Sequence, residues 1–190
     1  MIDDSPSGKQ RKRPAKPLDS VRLGELALSY VARFSTSAAK LERYLLRKIR
    51  ERGWEGEGEP PISSLVHRYV ELGYIDDEVF ARAKTGGLMR RGYGARRVHQ
   101  ALGEAGIDES LREKVRPGEL AARQALLVLA RRRRFGPFAA GPIDKALREK
   151  QIAAMLRAGH SLDSVREMVD AKSPAEAERW VAEAADEMEQ

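Results

Sequence analysis

This 190-residue sequence predicts an all-α protein: an elongated, curved array of three tandem three-helix repeats with an appended C-terminal helix. Three observations carry that expectation. Gly53, Gly106 and Gly159 stand 53 residues apart, each closing a helix-like segment (37–52, 94–105 and 142–158) with an apolar residue four places upstream, Ile49, Leu102 or Met155. Equal spacing of one local feature marks an internal repeat, and a repeat sets the architecture. The composition, 42% apolar and 34% charged with few aromatics, favours helix. Apolar residues recur at helical spacing through most of the chain. A three-helix unit buries its faces poorly alone, so neighbouring units should stack into a bent rod.

Residues 1–18 lack apolar periodicity and are rich in Lys, Arg, Pro and Ser, which predicts a disordered basic arm. The first repeat spans 19–72. Asp19 or Ser20 caps a helix carrying Leu23, Leu26, Ala27 and Tyr30; Arg33-Phe34-Ser35 turns the chain into a second helix with Leu41, Tyr44, Leu45 and Ile49. After Gly53, Pro60 and Pro61 start a third with Ile62, Leu65, Val66 and Tyr69.

The second repeat spans 73–116. Asp76 is the expected N-cap, with Ile75 stapled to Phe80 and a buried stripe of Val79, Phe80, Ala83 and Leu88. Gly86-Gly87 inside this helix implies a kink, an early end or a close backbone contact. Arg91-Gly92-Tyr93-Gly94 turns the chain into Val98, Ala101, Leu102 and Ala105, and a short third helix with Leu111 and Val115 follows Asp108. The third repeat, 117–171, runs through Leu120, Leu126 and Leu129 to a turn at Phe135-Gly136-Pro137, then Leu147, Ile152, Met155 and Leu156, then Leu162, Val165, Met168 and Val169. Residues 172–190 form an acidic C-terminal helix opened by a Ser173–Glu176 capping box, with Ala177, Trp180, Val181, Ala184 and Met188 on its apolar face.

Without cysteine, disulfides and thiolate metal sites are excluded. The longest apolar run, Ala125–Ala130, is far shorter than the ~20 residues of a membrane span. The expectation is a cytoplasmic monomer with no membrane partner. The net charge of +6 is unevenly placed: the first 17 residues are basic, the last 20 acidic, and the body between them is the most basic part. Two windows hold no acidic residue. Glu78 to Glu104 encloses Arg82, Lys84, Arg90, Arg91, Arg96 and Arg97; Glu119 to Asp144 encloses Arg123 and Arg131, Arg132, Arg133 and Arg134. Arginines at helix ends complement the helix dipole, but two such windows in a Glu-rich chain point to a surface for a polyanion or an acidic partner.

No arrangement of catalytic residues is present, and neither an enzyme nor a cofactor is expected. Asp76-Asp77-Glu78 at a helix start do not converge on a metal. Gly92-Tyr93-Gly94 has no third glycine and no Gly-Lys-Ser/Thr, so it reads as a turn, although the helix start behind it could hold a phosphate on bare N–H groups. His67, His99 and His160 are not paired with one another, and nothing around them resembles a set of nucleophile, base and orienting residue.

Leu72-Gly73-Tyr74-Ile75-Asp76-Asp77 with Phe80-Ala81-Arg82 resembles the LGYIDDxxFAR signature of the RecX regulatory proteins. Arg90-Arg91-Gly92-Tyr93-Gly94, Arg96-Arg97-Val98, Leu102 and Gly106-Ile107 resemble that family's RRGYGPRRI stretch. Ala95 stands where Pro is usual, Val98 where Ile is usual, and Gly86-Gly87 interrupts a helix normally continuous. The resemblance implies a modulator of RecA recombinase, usually an inhibitor, lying in the groove of the RecA–single-stranded DNA filament. Arg82, Arg90, Arg91, Tyr93, Arg96, Arg97 and Arg131–Arg134 are then expected on the partner or polyanion surface. Gly73, Tyr74, Ile75, Asp76, Asp77, Phe80, Gly92 and Gly94 are expected mainly to specify the fold.

Two rival readings remain. In one, tandem three-helix units bind DNA directly, reading bases from Arg96, Arg97, His99 and Gln100. In the other, the tail helix 174–189 recruits a further partner rather than capping the last repeat.

Overall fold

The computed structural model describes residues 16–186, which form ten α-helices: α1 (Ser20–Arg33), α2 (Ala38–Arg52), α3 (Ile62–Glu71), α4 (Asp77–Met89), α5 (Ala95–Glu104), α6 (Glu109–Lys114), α7 (Glu119–Arg133), α8 (Lys145–Arg157), α9 (Leu162–Asp170) and α10 (Pro174–Asp186). The fold class is all-α, as expected. The basic arm up to residue 15, and Met188 of the tail helix, lie outside the described residues.

Short polar side chains start most of the helices. Asp19, Ser37, Asp76, Asp108, Asp144 and Ser161 each accept a backbone N–H three residues on, satisfying a donor that a helix start leaves open. Ser173 does the same for Glu176, whose carboxylate reaches back to the Lys172 N–H at 2.7 Å.

Three apolar cores follow one another along the chain. The first gathers Leu18, Leu23, Ala27, Leu41, Leu45, Ile62, Val66, Tyr69 and Ile75. The second is centred on Phe80, Leu88, Val98, Leu102, Ile107 and Val115, and the third on Leu126, Leu129, Ile152, Met155, Val165, Met168 and Val181. None of the principal helix pairings among the described residues joins α1–α3 to α7–α10, so the second core lies between the first and the third. Helix α7 serves two of them: Ala125 packs in the second, Leu126 and Leu129 in the third. The tail helix α10 lies on α7, with Ala177 and Val181 in the third core.

Four expectations need correction. Leu18, placed in the arm, is fully buried; its N–H donates to the Gly53 carbonyl at 3.0 Å and its carbonyl accepts from Glu55 at 2.9 Å. A short bridge rather than a helix holds it, so helical periodicity gives no sign of it. Ile75 does not share a core with Phe80. Its N–H bonds back to the Tyr69 carbonyl in the left-handed turn that ends α3 at Gly73, and this carries the side chain into the first core. The buried face of α4 is Phe80, Ala81, Leu88 and Met89, whereas Val79 is 61% exposed and Ala83 also faces solvent. Leu147 on α8 is likewise exposed, and Gln151 takes an inward position, its Oε1 accepting the Gly136 N–H at 2.8 Å.

Gly86-Gly87 neither ends nor breaks α4. The Arg90 guanidinium fills the space beside Gly86, and the Gly87 carbonyl accepts Arg91 Nε at 3.1 Å.

The repeat glycines turn out to be joints. Turn Gly53 receives Leu18. Turn Gly106 receives the start of α2: Ser37 Oγ donates to the Ala105 carbonyl at 2.6 Å, Arg43 Nη2 to the Glu104 carbonyl at 2.8 Å, and Asp77 Oδ1 accepts the Ala38 N–H at 2.9 Å. Turn Gly159 receives the start of α5, with Gly94 N–H donating to the Ala158 carbonyl at 2.9 Å and Arg96 N–H to the Gly159 carbonyl at 3.1 Å. Two of the N–H groups at the helix start behind Gly92-Tyr93-Gly94, those of Gly94 and Arg96, are therefore taken by the third core's turn.

His160 closes this last joint. It is buried, with Nε2 3.0 Å from the Gly92 carbonyl, and burial holds its pKa below the ordinary histidine value, the carbonyl contact partly opposing. The unfolded chain takes up a proton as pH falls through about 6.5 while the folded chain resists it. The stability tied to the neutral imidazole is complete above that pH and is lost progressively as pH falls toward the lower folded-state value. In urea unfolding between pH 8 and pH 5, the wild type is expected to lose more stability than His160→Gln; parallel curves would remove the histidine from the account.

Candidate functional site

The two acid-free windows do not behave as uniform blocks. Arg82 pairs with Glu78 at 2.7 Å, and Lys114 binds the same carboxylate at 2.6 Å. Those bonds, Lys114 first, hold the Glu78 carboxyl below the usual range. Arg97 donates to Gln100 at 2.8 Å and lies 4.0 Å from Glu104. Arg131 pairs with Glu178 of α10 and sits over the Phe138 ring. Arg123, also facing α10, donates to the Trp180 carbonyl at 2.9 Å and lies 4.7 Å from the Trp180 ring centroid. These two arginines brace the tail helix.

The others differ. Arg90, Arg91, Arg96, Arg132, Arg133 and Arg134 are exposed and form no ion pair among the described residues. Exposed pairs contribute little to stability, so the distinction matters for partners: an unpaired guanidinium is free to take a bidentate phosphate or carboxylate.

Between the second and third cores the two windows meet. Gly92, Tyr93, Leu129, Arg132, Arg133, Phe135, Arg157 and the Ala158 turn line one groove. Tyr93 comes from the first window and lies 5.7 Å from the Arg91 guanidinium; Arg132 and Arg133 come from the second. Gly92, at φ 83°, lets the turn approach the α7 backbone, where a Cβ would lie 3.0 Å from the Leu129 nitrogen. Arg157 was not among the residues singled out from the sequence. It sits outside both windows, and its position two residues before Gly159 is the one signal that could have found it. Arg134 takes a left-handed conformation at the end of α7, φ 54° and ψ 50°.

The first window also extends toward the first core. Lys84 is held below the ordinary lysine range, chiefly by burial and then by Lys40, with Arg91 and Arg97 adding repulsion and Glu104 opposing. Lys40 and Lys84 lie 5.4 and 5.8 Å from the Phe80 ring centroid. Cations from α2, α4 and α5 thus gather on one seam.

The motif residues expected to specify the fold sit at joints and caps. Gly73 is left-handed, Ile75 is core, Asp76 caps α4, Asp77 ties it to α2, and Tyr74 stays exposed, edge-on to Tyr69 at 5.5 Å. The side chains that a base-reading helix would present are engaged within the protein: Gln100 with Arg97 and Glu104, and His99 with Glu109 at 2.8 Å. His99, Glu109 and Glu113 bring three potential metal ligands within 4.8 Å of one another, a cluster not foreseen from sequence. Arg112 pairs with Glu109 and Arg116 with Glu113, which places guanidinium groups where a cation would have to compete. Among the described residues no helix is long and apolar enough to cross a membrane.

Comparison with known proteins agrees with this architecture. A family profile described as the second three-helix domain of RecX matches residues 76–115, the helices of the second core. The regulatory protein RecX of Myxococcus xanthus (strain DK1622) is 29% identical over 87% of this chain and 94% of its own length. That of Thermus thermophilus is 33% identical over 58% of this chain and 74% of its own length. The crystal structure of RecX from Lactobacillus salivarius shares the fold at a TM-score of 0.62 and 18% identity, covering 79% of this chain and 96% of that one. With a relative one-third identical across most of that relative's length, and the same helical plan in a solved structure, this chain belongs to the RecX family of regulatory proteins.

Proposed function

We propose that this protein is a non-enzymatic regulator that binds in the groove of the RecA filament on single-stranded DNA and inhibits its ATPase and recombinase activity. It acts as a cytoplasmic monomer built from three three-helix units over 19–72, 73–116 and 117–171. The observation that carries this reading is the groove between the second and third cores, where Tyr93, Arg132, Arg133 and Arg157 converge beside the unpaired Arg90, Arg91 and Arg96. Guanidinium groups without internal carboxylates meet phosphate or acidic side chains there.

Direct reading of duplex DNA is the less supported alternative. The start of α5 is docked on the Gly159 turn, and His99 and Gln100 are held by neighbouring carboxylates, so the helix has few groups left for base edges.

The test is hydrolysis of ATP by RecA filaments on single-stranded DNA with the purified protein added at stoichiometric amounts. Inhibition is expected, and a variant carrying Arg132→Glu and Arg133→Glu is expected to lose it while keeping wild-type helicity. No effect of the wild-type protein on hydrolysis overturns the filament reading in favour of direct DNA binding.

A further inference from the structure

A second groove lies on the first core, with Lys40 at the edge nearest the first acid-free window. Tyr30, Lys40, Arg43, Tyr44 and Arg47 line it. The Tyr30 and Tyr44 rings are stacked, with centroids 4.2 Å apart and planes 20° from parallel, and Phe34 extends the row at 5.3 Å from Tyr30. Phe34 is 56% exposed, so that end of the row is open to solvent. Arg47 and Lys48 lie 5.6 and 5.8 Å from the Tyr44 centroid.

The sequence of α2 explains the arrangement. Leu41, Leu45 and Ile49 turn toward the first core, while Lys40, Arg43, Tyr44, Arg47 and Lys48 recur at helical spacing on an adjoining stripe. Three of the chain's eleven aromatic residues meet on this one groove. Glu51 answers Lys48 at 2.6 Å and Arg47 at 3.6 Å. Lys40 and Arg43 have no ion pair among the described residues, and Lys40 stands close enough to Lys84 to repel it.

We propose that this groove binds single-stranded nucleic acid, with a base added to the Phe34–Tyr30–Tyr44 row and the adjoining phosphates held by Lys40, Arg43 and Arg47. Rings interleaved with cations are the form a sequence-tolerant single-strand site takes, since every base has a face to stack and every nucleotide a phosphate. An acidic peptide would use the cations and leave the rings idle. A duplex would offer phosphates with its base faces already stacked. The proposal does not need RecA: it concerns the isolated protein and a bare strand, so it can fail while the filament reading stands, and the reverse.

The experiment is fluorescence anisotropy of a labelled oligothymidylate of about 20 nucleotides, longer than the ~4–16 nucleotides that single-strand sites cover, titrated with the full-length protein at low salt without RecA. Tyr44→Leu is expected to weaken binding about tenfold, while Tyr44→Phe retains it, with circular dichroism unchanged in both. Should Tyr44→Leu perturb the first core, the double variant Lys40→Gln with Arg47→Gln is expected to lose affinity and to show a shallower salt dependence, with circular dichroism unchanged. Wild-type affinity in that double variant overturns the proposal. So does equal binding of a duplex of the same length, or displacement of the strand by polyaspartate at matched charge.

Discussion

Gly94→Ala is expected to destabilise the protein by about 3 kcal/mol, at the upper end of the cost of overpacking. The methyl group would lie 2.3 Å from the Gly159 carbonyl oxygen and 2.5 Å from the His160 nitrogen, and both are backbone atoms of a turn that cannot swing aside as a flexible side chain would. Gly94 has φ −82°, an ordinary value for any residue, so the cost is steric and not conformational. Gly118 supplies the matched control. It too is an N-cap glycine without a side-chain cap, at φ −71°, and a Cβ there meets nothing within 4 Å. Gly118→Ala therefore measures only the small cost of alanine at a cap. Because α5 reaches the third core through the two bonds at Gly159, Gly94→Ala is also expected to divide one urea transition into two, seen by following Trp180 fluorescence against circular dichroism. Equal loss in the two variants would mean that this joint does not couple the second and third cores.

The same joint shows where sequence reading stops. Caps at Asp19, Asp76 and Ser173 and the glycine turns were legible because their partners lie within about four residues, inside the range of a local pattern. The bond from Ser37 to Ala105 spans 68 residues and is written in no periodicity. The glycine spacing disclosed that Gly53, Gly106 and Gly159 share a role, yet that role, receiving another segment of chain, appears only when the units are stacked. Val79 was misplaced for a related reason. The buried face of α4 is set by α5 and α7 together, and two neighbours shift the stripe by one residue to Phe80 and Ala81. At the candidate site, the acid-free windows pointed to most of the arginines only as charge. They could not separate Arg131, spent on Glu178 and Phe138, from Arg132 and Arg133, which line the groove, nor reveal Arg157, which lies outside both windows.

That separation predicts a difference in salt dependence. In a variant with Arg132, Arg133 and Arg157 all changed to Gln, binding to the RecA filament on single-stranded DNA is expected to weaken by at least tenfold at about 100 mM salt, each lost charge-assisted contact being worth about 1.5–3 kcal/mol when fully made. If the three guanidinium groups meet phosphates, the slope of log affinity against log salt should also become shallower by about 2, since each single-strand phosphate neutralised contributes roughly 0.7 through counterion release. If they meet carboxylates of the RecA subunits, the affinity falls with much less change in slope, because no condensed ion atmosphere is displaced. Arg131→Gln is the control for mere removal of positive charge from α7. It gives up the contacts to Glu178 and Phe138 that brace the tail helix, so its effect should register in the melting of that helix and leave the slope near the wild-type value. A triple variant that keeps both affinity and slope would move the contact away from the groove beside Tyr93, and the unpaired arginines at Arg90, Arg91 and Arg96 would be the next to be neutralised.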